Sequence, residues 1–163
     1  MSPPIAADAA LLFRLSALNT AYAADIDADR LEVWPEFFVE DCLYKITTAE
    51  NHAEGLAGGV VYADTKGMLR DRVLALRKAN IYERQSYRHL IGMPSILSVG
   101  SDGIRSETPF MVARIVRDGE TTLFATGRFL DLVRDIPDVG LRFVERIVVC
   151  DSSRFDTLLA IPL

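Results

Sequence analysis

From Gln85 onward the chain reads as long β-strands divided by tight turns, and this stretch limits the fold more than any other. YRHLIGMPSILSVG runs to a turn at SDG, and IRSETPFMVARIVRDGE follows. That second run turns at Arg117–Glu120, where Asp118-Gly119 is a strong hairpin signal. TTLFATGRFLDLVRD comes next, then a turn near Pro137–Gly140, and LRFVERIVVCDSS closes the series. Four long strands joined by tight turns predict an antiparallel meander. Pro94 and Pro109 sit inside these runs, so a bulge or an edge position is expected at each.

The first half has another texture. Residues 5–28 read as a helix, with Leu11, Leu12, Leu15, Leu18, Ala21 and Tyr22 spaced three and four apart until Asp25, Asp27 and Asp29 break the pattern. A short helix is expected over Leu31–Phe38, with Pro35 tolerated in its first turn. EDCLYKITTAE, residues 40–50, then switches to a strand, NHAEGLAGG is a loop by its glycines, and Val60–Ala63 is a short strand. Thr65 or Asp64 caps a helix over Lys66–Lys78. Helices followed by a long curved antiparallel sheet give an α+β domain. The expected architecture is the cone of nuclear transport factor 2 (NTF2-like, cystatin-like), in which a bent sheet wraps N-terminal helices and leaves a cavity.

A chain of 163 residues, half of them hydrophobic, suits one domain over residues 1–163. No apolar run approaches the ~18–20 residues of a membrane helix. The start, MSPPIAADAALLFRL, lacks a basic segment and carries Asp8, so it reads as a helix start, and a cytoplasmic protein is expected. Net charge is −5 and the basic residues are scattered, which speaks against nucleic acid as a partner. Cys42 and Cys150 are the only cysteines and are expected as reduced, buried thiols.

The two histidines focus the chemistry. On a period of two, Tyr87, His89, Ile91 and Met93 share one side of a strand, with Arg88, Leu90 and Gly92 on the other. Cys42, His52, His89 and Cys150 match a Rieske cluster in number, two Cys and two His, but not in spacing. A two-His-one-carboxylate iron site and a Cys/His zinc site are weak for the same reason. Acid–base chemistry would draw on Tyr22, Asp27 and His89, as a dehydratase or isomerase working inside a cavity. The plain alternative is a structural His89 and a core Tyr22. No G-x-S-x-G, P-loop or G-x-G-x-x-G is present.

WPEFF, residues 34–38, offers Trp34, Phe37 and Phe38 either as a knob for a partner or as the lid of the core. Arg70, Asp71, Arg72 and Arg77, with Tyr82, Glu83 and Arg84 after them, alternate in sign. Such a region is a solvated face or a polar seam between subunits.

Three segments carry a resemblance: WPEFFVEDCLYKITTAENHAEGLAGGVVYAD, MLRDRVLALRKANIYERQSYRHLIGMPSI and ERIVVCDSSRFDTLLAIPL. With their W-x-x-F-F, M-x-x-D-R, Y-x-R-H and terminal D-S, they resemble the small (β) subunits of aromatic-ring-hydroxylating dioxygenases. The NHAEGLAGG loop and NIYER narrow the likeness to the terephthalate 1,2-dioxygenase type. The resemblance implies a chain with no catalytic, metal or cofactor residues of its own. The large (α) subunit would hold the Rieske [2Fe–2S] cluster, the mononuclear non-haem Fe(II) and the substrate pocket. A separate reductase would bring electrons from NAD(P)H, and an α3β3 hexamer with β–β contacts would cis-dihydroxylate an aromatic acid. It further implies an inward, structural His89 with Tyr22 or Asp27 as partner. Arg88 is the interface candidate, beside Trp34, Phe37, Arg70, Arg72, Tyr82 and Arg84. A free-standing dehydratase or isomerase using Asp27 and His89, and a small-ligand binding module, remain the rival readings.

Overall fold

Helix α1 spans Ala9–Asp27 in the computed structural model, which describes residues 8–79, 84–155 and 159–163. The Asp8 carboxylate starts it by accepting the Ala10 N–H at 2.9 Å. The helix runs through Asp25 to Asp27, one residue short of the expected end at residue 28. Its buried face is Leu15, Asn19, Tyr22, Ala23 and Ile26, while Ala21 faces outward. Those positions follow a 3.6-residue period, with a polar Asn19 among them.

The helix expected over Leu31–Phe38 is only a 3-10 turn, Trp34–Phe37. Phe38 already belongs to strand β1, Phe38–Thr48. The strand expected to reach residue 50 stops at Thr48, whose hydroxyl accepts the Asn51 N–H at 3.2 Å. That cap opens a short helix α2, Ala49–Ala53, where a loop was expected from residue 51. Strand β2 is Val61–Ala63, and helix α3 is Lys66–Lys78 with the Thr65 hydroxyl accepting from the Met68 N–H.

The first long strand is in fact two, β3 Gln85–Ile91 and β4 Ser95–Gly100, both paired with β5 Gly103–Val116. Pro109 explains the gap between them. Its carbonyl accepts from the Gly92 N–H at 2.8 Å, so its missing N–H falls on the same side, beside the break. A Cβ on Gly92 would sit 2.6 Å from the Pro109 ring, which keeps that position small. Strands β6, Thr121–Ile136, and β7, Gly140–Cys150, complete a sheet ordered β2-β1-β7-β6-β5-β3, with β4 also on β5.

One pairing departs from the expected antiparallel pattern: β1 and β7 run parallel, from Leu43 opposite Glu145 to Thr48 opposite Cys150. No local turn links these strands, so only long-range packing chooses that pairing. Register shifts at Val112/Ala113 in β5 and Leu132/Val133 in β6 add to the bending of the sheet. Helix α1 lies against β3 and β7, and α3 against β1. Between helices and sheet, Tyr22, Trp34, Phe38, Tyr44, Phe129 and Phe143 form an aromatic core.

Candidate functional site

Asp27, the last residue of α1, meets His89 in the middle of β3. One carboxylate oxygen accepts the His89 backbone N–H at 2.9 Å, and the other lies 2.6 Å from Nδ1. With the carboxylate accepting on both oxygens, Nδ1 is the donor. The imidazole is wholly buried, and Nε2 has no hydrogen-bond partner among the described residues. Arg88, on the opposite side of the strand, is largely exposed, and its guanidinium stands 4.0 Å from the same carboxylate. The pair ties the end of a helix to a strand at two points. As a base it would need Nε2 open to a substrate, and this ring has no exposed surface.

Tyr22 does not join them. Its hydroxyl donates to the Leu163 carbonyl oxygen at 2.8 Å and accepts from the Trp34 indole N–H at 3.1 Å. The Tyr44 hydroxyl donates to the same oxygen and accepts the Leu163 N–H, both at 3.1 Å. Burial holds both phenols protonated, raising Tyr22 and pushing Tyr44 well above the ordinary tyrosine range. Thus residues 159–163 bring Leu159, Ile161 and Leu163 into the core beneath Trp34.

A second buried group fills the space between α1 and the sheet. Arg146 of β7 donates from Nε and Nη2 to the two oxygens of Asp131 on β6, at 2.9 and 2.8 Å. Nη2 also donates to the Asn19 side-chain oxygen. The guanidinium carbon lies 4.3, 4.0 and 3.9 Å from the rings of Tyr22, Phe129 and Phe143. Desolvation raises the Asp131 carboxyl, and the Arg146 charge opposes that rise. These residues escape a reading based on apolar periodicity. The available signal is parity: Arg146 shares a strand face with Val148, and Asp131 shares one with Phe129 and Val133.

The remaining candidates spread over the helical side. Trp34 is fully buried, which leaves it in the core and not on a docking surface. Phe37 is half-buried, edge-on to Tyr22 with centroids 5.6 Å apart. Arg70 pairs with Glu36 at 3.1 Å, and Arg72 donates to the Leu159 carbonyl at 3.3 Å. Arg77 grips Glu32 and Asp29 together, and that contact pulls the Glu32 carboxyl down to about 2. Arg70, Arg77, Glu32, Pro35, Val73 and Leu74 line a shallow groove along α3. Arg84 is exposed, and Tyr82 lies outside the described residues.

The sulfur and imidazole groups do not fit an iron centre. Cys150 is opposite Thr48, six residues along β1 from Cys42, roughly 20 Å at strand spacing. Burial pushes Cys42 up to about 11 and Cys150 up to about 12, so both rest as protonated thiols. His52 is in α2 and His89 in β3, and no group of three ligating side chains gathers among the described residues.

The model of the ring hydroxylating beta subunit family matches residues 21–157. Subunit beta 1 of the terminal oxygenase component of terephthalate 1,2-dioxygenase from Comamonas sp is 53% identical over 150 residues, covering 92% of this chain and 97% of that protein. The anthranilate 1,2-dioxygenase small subunit of Burkholderia cepacia is 41% identical, covering 93% of each chain. Among solved structures, a β subunit assigned to an aromatic-ring-hydroxylating dioxygenase of Novosphingobium aromaticivorans superposes with a TM-score of 0.85 at 40% identity, covering 94% of this chain and 97% of that one. A shared fold, a family match over most of the length and these identities agree: the chain belongs to the β subunits of ring-hydroxylating dioxygenases.

Proposed function

We propose that this chain is the non-catalytic subunit of a dioxygenase that cis-dihydroxylates an aromatic acid, with terephthalate as substrate. A large subunit carries the Rieske [2Fe–2S] cluster and the mononuclear Fe(II). A separate reductase delivers electrons from NAD(P)H, and three copies of each subunit assemble. The 53% identity to the Comamonas terephthalate subunit supports the choice of acid.

The observation that carries the reading is that the buried polar groups between α1 and the sheet, among the described residues, are bonded to one another. A cone-fold enzyme needs an open cavity lined by reactive groups. Here the buried Arg146–Asp131 pair and the inserted Leu163 occupy the interior beside Tyr22, and the Asp27–His89 pair is sealed against α1. The chain therefore offers shape and contact surface, and it acts in catalysis as part of a complex.

Co-expression with a large subunit tests this. The complex is expected to be brown, to contain iron and to consume oxygen when terephthalate is added. The purified chain alone is expected to be inert toward the same mixture. Turnover of any aromatic acid or hydroxylated ketone by the isolated chain would restore the dehydratase reading, with Asp27 and His89 as its site.

A further inference from the structure

Residues 159–163 enter the core without belonging to any helix or strand. Among the described residues, no backbone–backbone hydrogen bond ties them to the sheet. Side chains make the attachment instead. The Tyr44 hydroxyl accepts the Leu163 N–H and donates to the Leu163 carbonyl oxygen, both at 3.1 Å. The Tyr22 hydroxyl donates to the same oxygen at 2.8 Å. Arg72 of α3 donates to the Leu159 carbonyl at 3.3 Å. Between these holds, Leu159, Ile161, Pro162 and Leu163 are buried and Ala160 is half-buried. Proteins that capture a separate extended peptide work in this way: polar groups hold its backbone, and apolar recesses select its side chains.

The walls of this recess are held by one another and not by the segment. Tyr22 meets Phe37, Phe38, Phe129 and Phe143 edge-on. Trp34 stands edge-on to Tyr44 with centroids 5.1 Å apart, and its indole N–H donates to the Tyr22 hydroxyl. Tyr44 in turn packs edge-on to Phe38 at 5.9 Å. A recess built in advance spares its occupant the cost of ordering the walls. Withdrawing residues 159–163 leaves two buried phenol O–H groups without their acceptor, which favours the return of a segment with the same carbonyl. Against α3 the fit is looser, and Leu31, Val73, Leu76, Ala160 and Pro162 line a crevice there.

We infer that the recess walled by Tyr22, Trp34 and Tyr44 is a peptide-binding site that the chain fills with its own residues 159–163. Its ligand class is a short, extended, apolar peptide. The segment leaves and returns as a unit while the sheet stays folded, and an unattached peptide of the same sequence takes its place.

The full chain carrying Ile161→Asp and Leu163→Asp tests this, because two carboxylates will not enter an apolar recess. Trp34 is the only tryptophan and sits in the wall, so its emission reports occupancy. The variant is expected to keep its far-ultraviolet circular dichroism and to shift its Trp34 emission. The acetylated peptide LAIPL, residues 159–163, should restore the emission and raise the unfolding temperature, both saturably. The wild type, with its site filled, should not respond. Adding Tyr44→Phe to the variant removes two hydrogen bonds and should weaken the peptide about tenfold. A folded variant that ignores the peptide, or a wild type that responds equally, overturns the inference. If the variant does not fold, hydrogen exchange of the wild type decides. The Leu163 N–H is expected to exchange through an opening that leaves the β6 and β7 amides protected. Exchange of that N–H only when the whole chain unfolds overturns the inference.

Discussion

The guanidinium of Arg146 and the carboxylate of Asp131 meet in a two-pronged ion pair inside the cone, with neither side chain reaching solvent. Removing one partner leaves the other as an uncompensated buried charge. Arg146→Met or Asp131→Leu alone is therefore expected to destabilise by about 3–5 kcal/mol. The double variant removes both charges and is expected to lose less than either single one. Urea unfolding of the three proteins measures this. A double variant that loses as much as Arg146→Met, with Asp131→Leu losing little, would mean that the rings around Arg146, not its charge partner, carry the effect.

Asp27 serves His89 twice, through the backbone N–H and through Nδ1. Asp27→Ala orphans both donors and is expected to cost about 1–3 kcal/mol for each. His89→Gln should leave assembly and the specific activity of the dioxygenase mostly intact. A variant complex that assembles fully but no longer turns over would show that His89 has more than a structural part.

The Arg77 contact lowers the Glu32 carboxyl from 4.5 to about 2. A group held lower in the folded state adds stability above its unfolded value. That contribution is lost as pH falls from 4.5 toward 2. Glu32→Gln should therefore lose stability near neutrality and show a flatter acid limb over that window. Both carboxylates of the Arg77 cluster face solvent, so the effect should shrink in high salt. Chemical denaturation at a series of pH values, with and without added salt, checks both expectations.

Cys42 and Cys150 are buried thiols pushed up to about 11 and about 12. Alkylation at mildly alkaline pH is expected to be slow at both in the folded chain and rapid in denaturant. Mass spectrometry of the labelled peptides distinguishes them. Fast labelling of Cys150 in the native protein would mean that the end of β7 opens readily.

Much of the architecture was legible in the sequence because its causes are local. Apolar periodicity and the Thr65 cap placed α3 from Lys66 to Lys78, and the turn residues at Asp118-Gly119 and Pro137–Gly140 marked where β5 and β6 end and where β6 and β7 begin. The segments around WPEFF and YRHLIG carried the resemblance that the family match and the solved relative confirm. Local pattern failed where a partner distant in the chain decides the outcome. The parallel pairing of β1 with β7 depends on strands a hundred residues apart, roughly the span from Leu43 to Glu145. The break between β3 and β4 depends on which neighbour Pro109 faces.

The amino-acid order by itself determined the α+β character and most element boundaries, since these follow from spacing, caps and turn chemistry, and its WPEFF and YRHLIG segments carried the family resemblance. Only the tertiary structure decided that Tyr22 would hold Leu163 and not Asp27, and that Asp131 and Arg146 would close the interior. Those contacts join residues far apart in the chain. They form because buried hydroxyls, carboxylates and guanidinium groups must find partners once water is excluded.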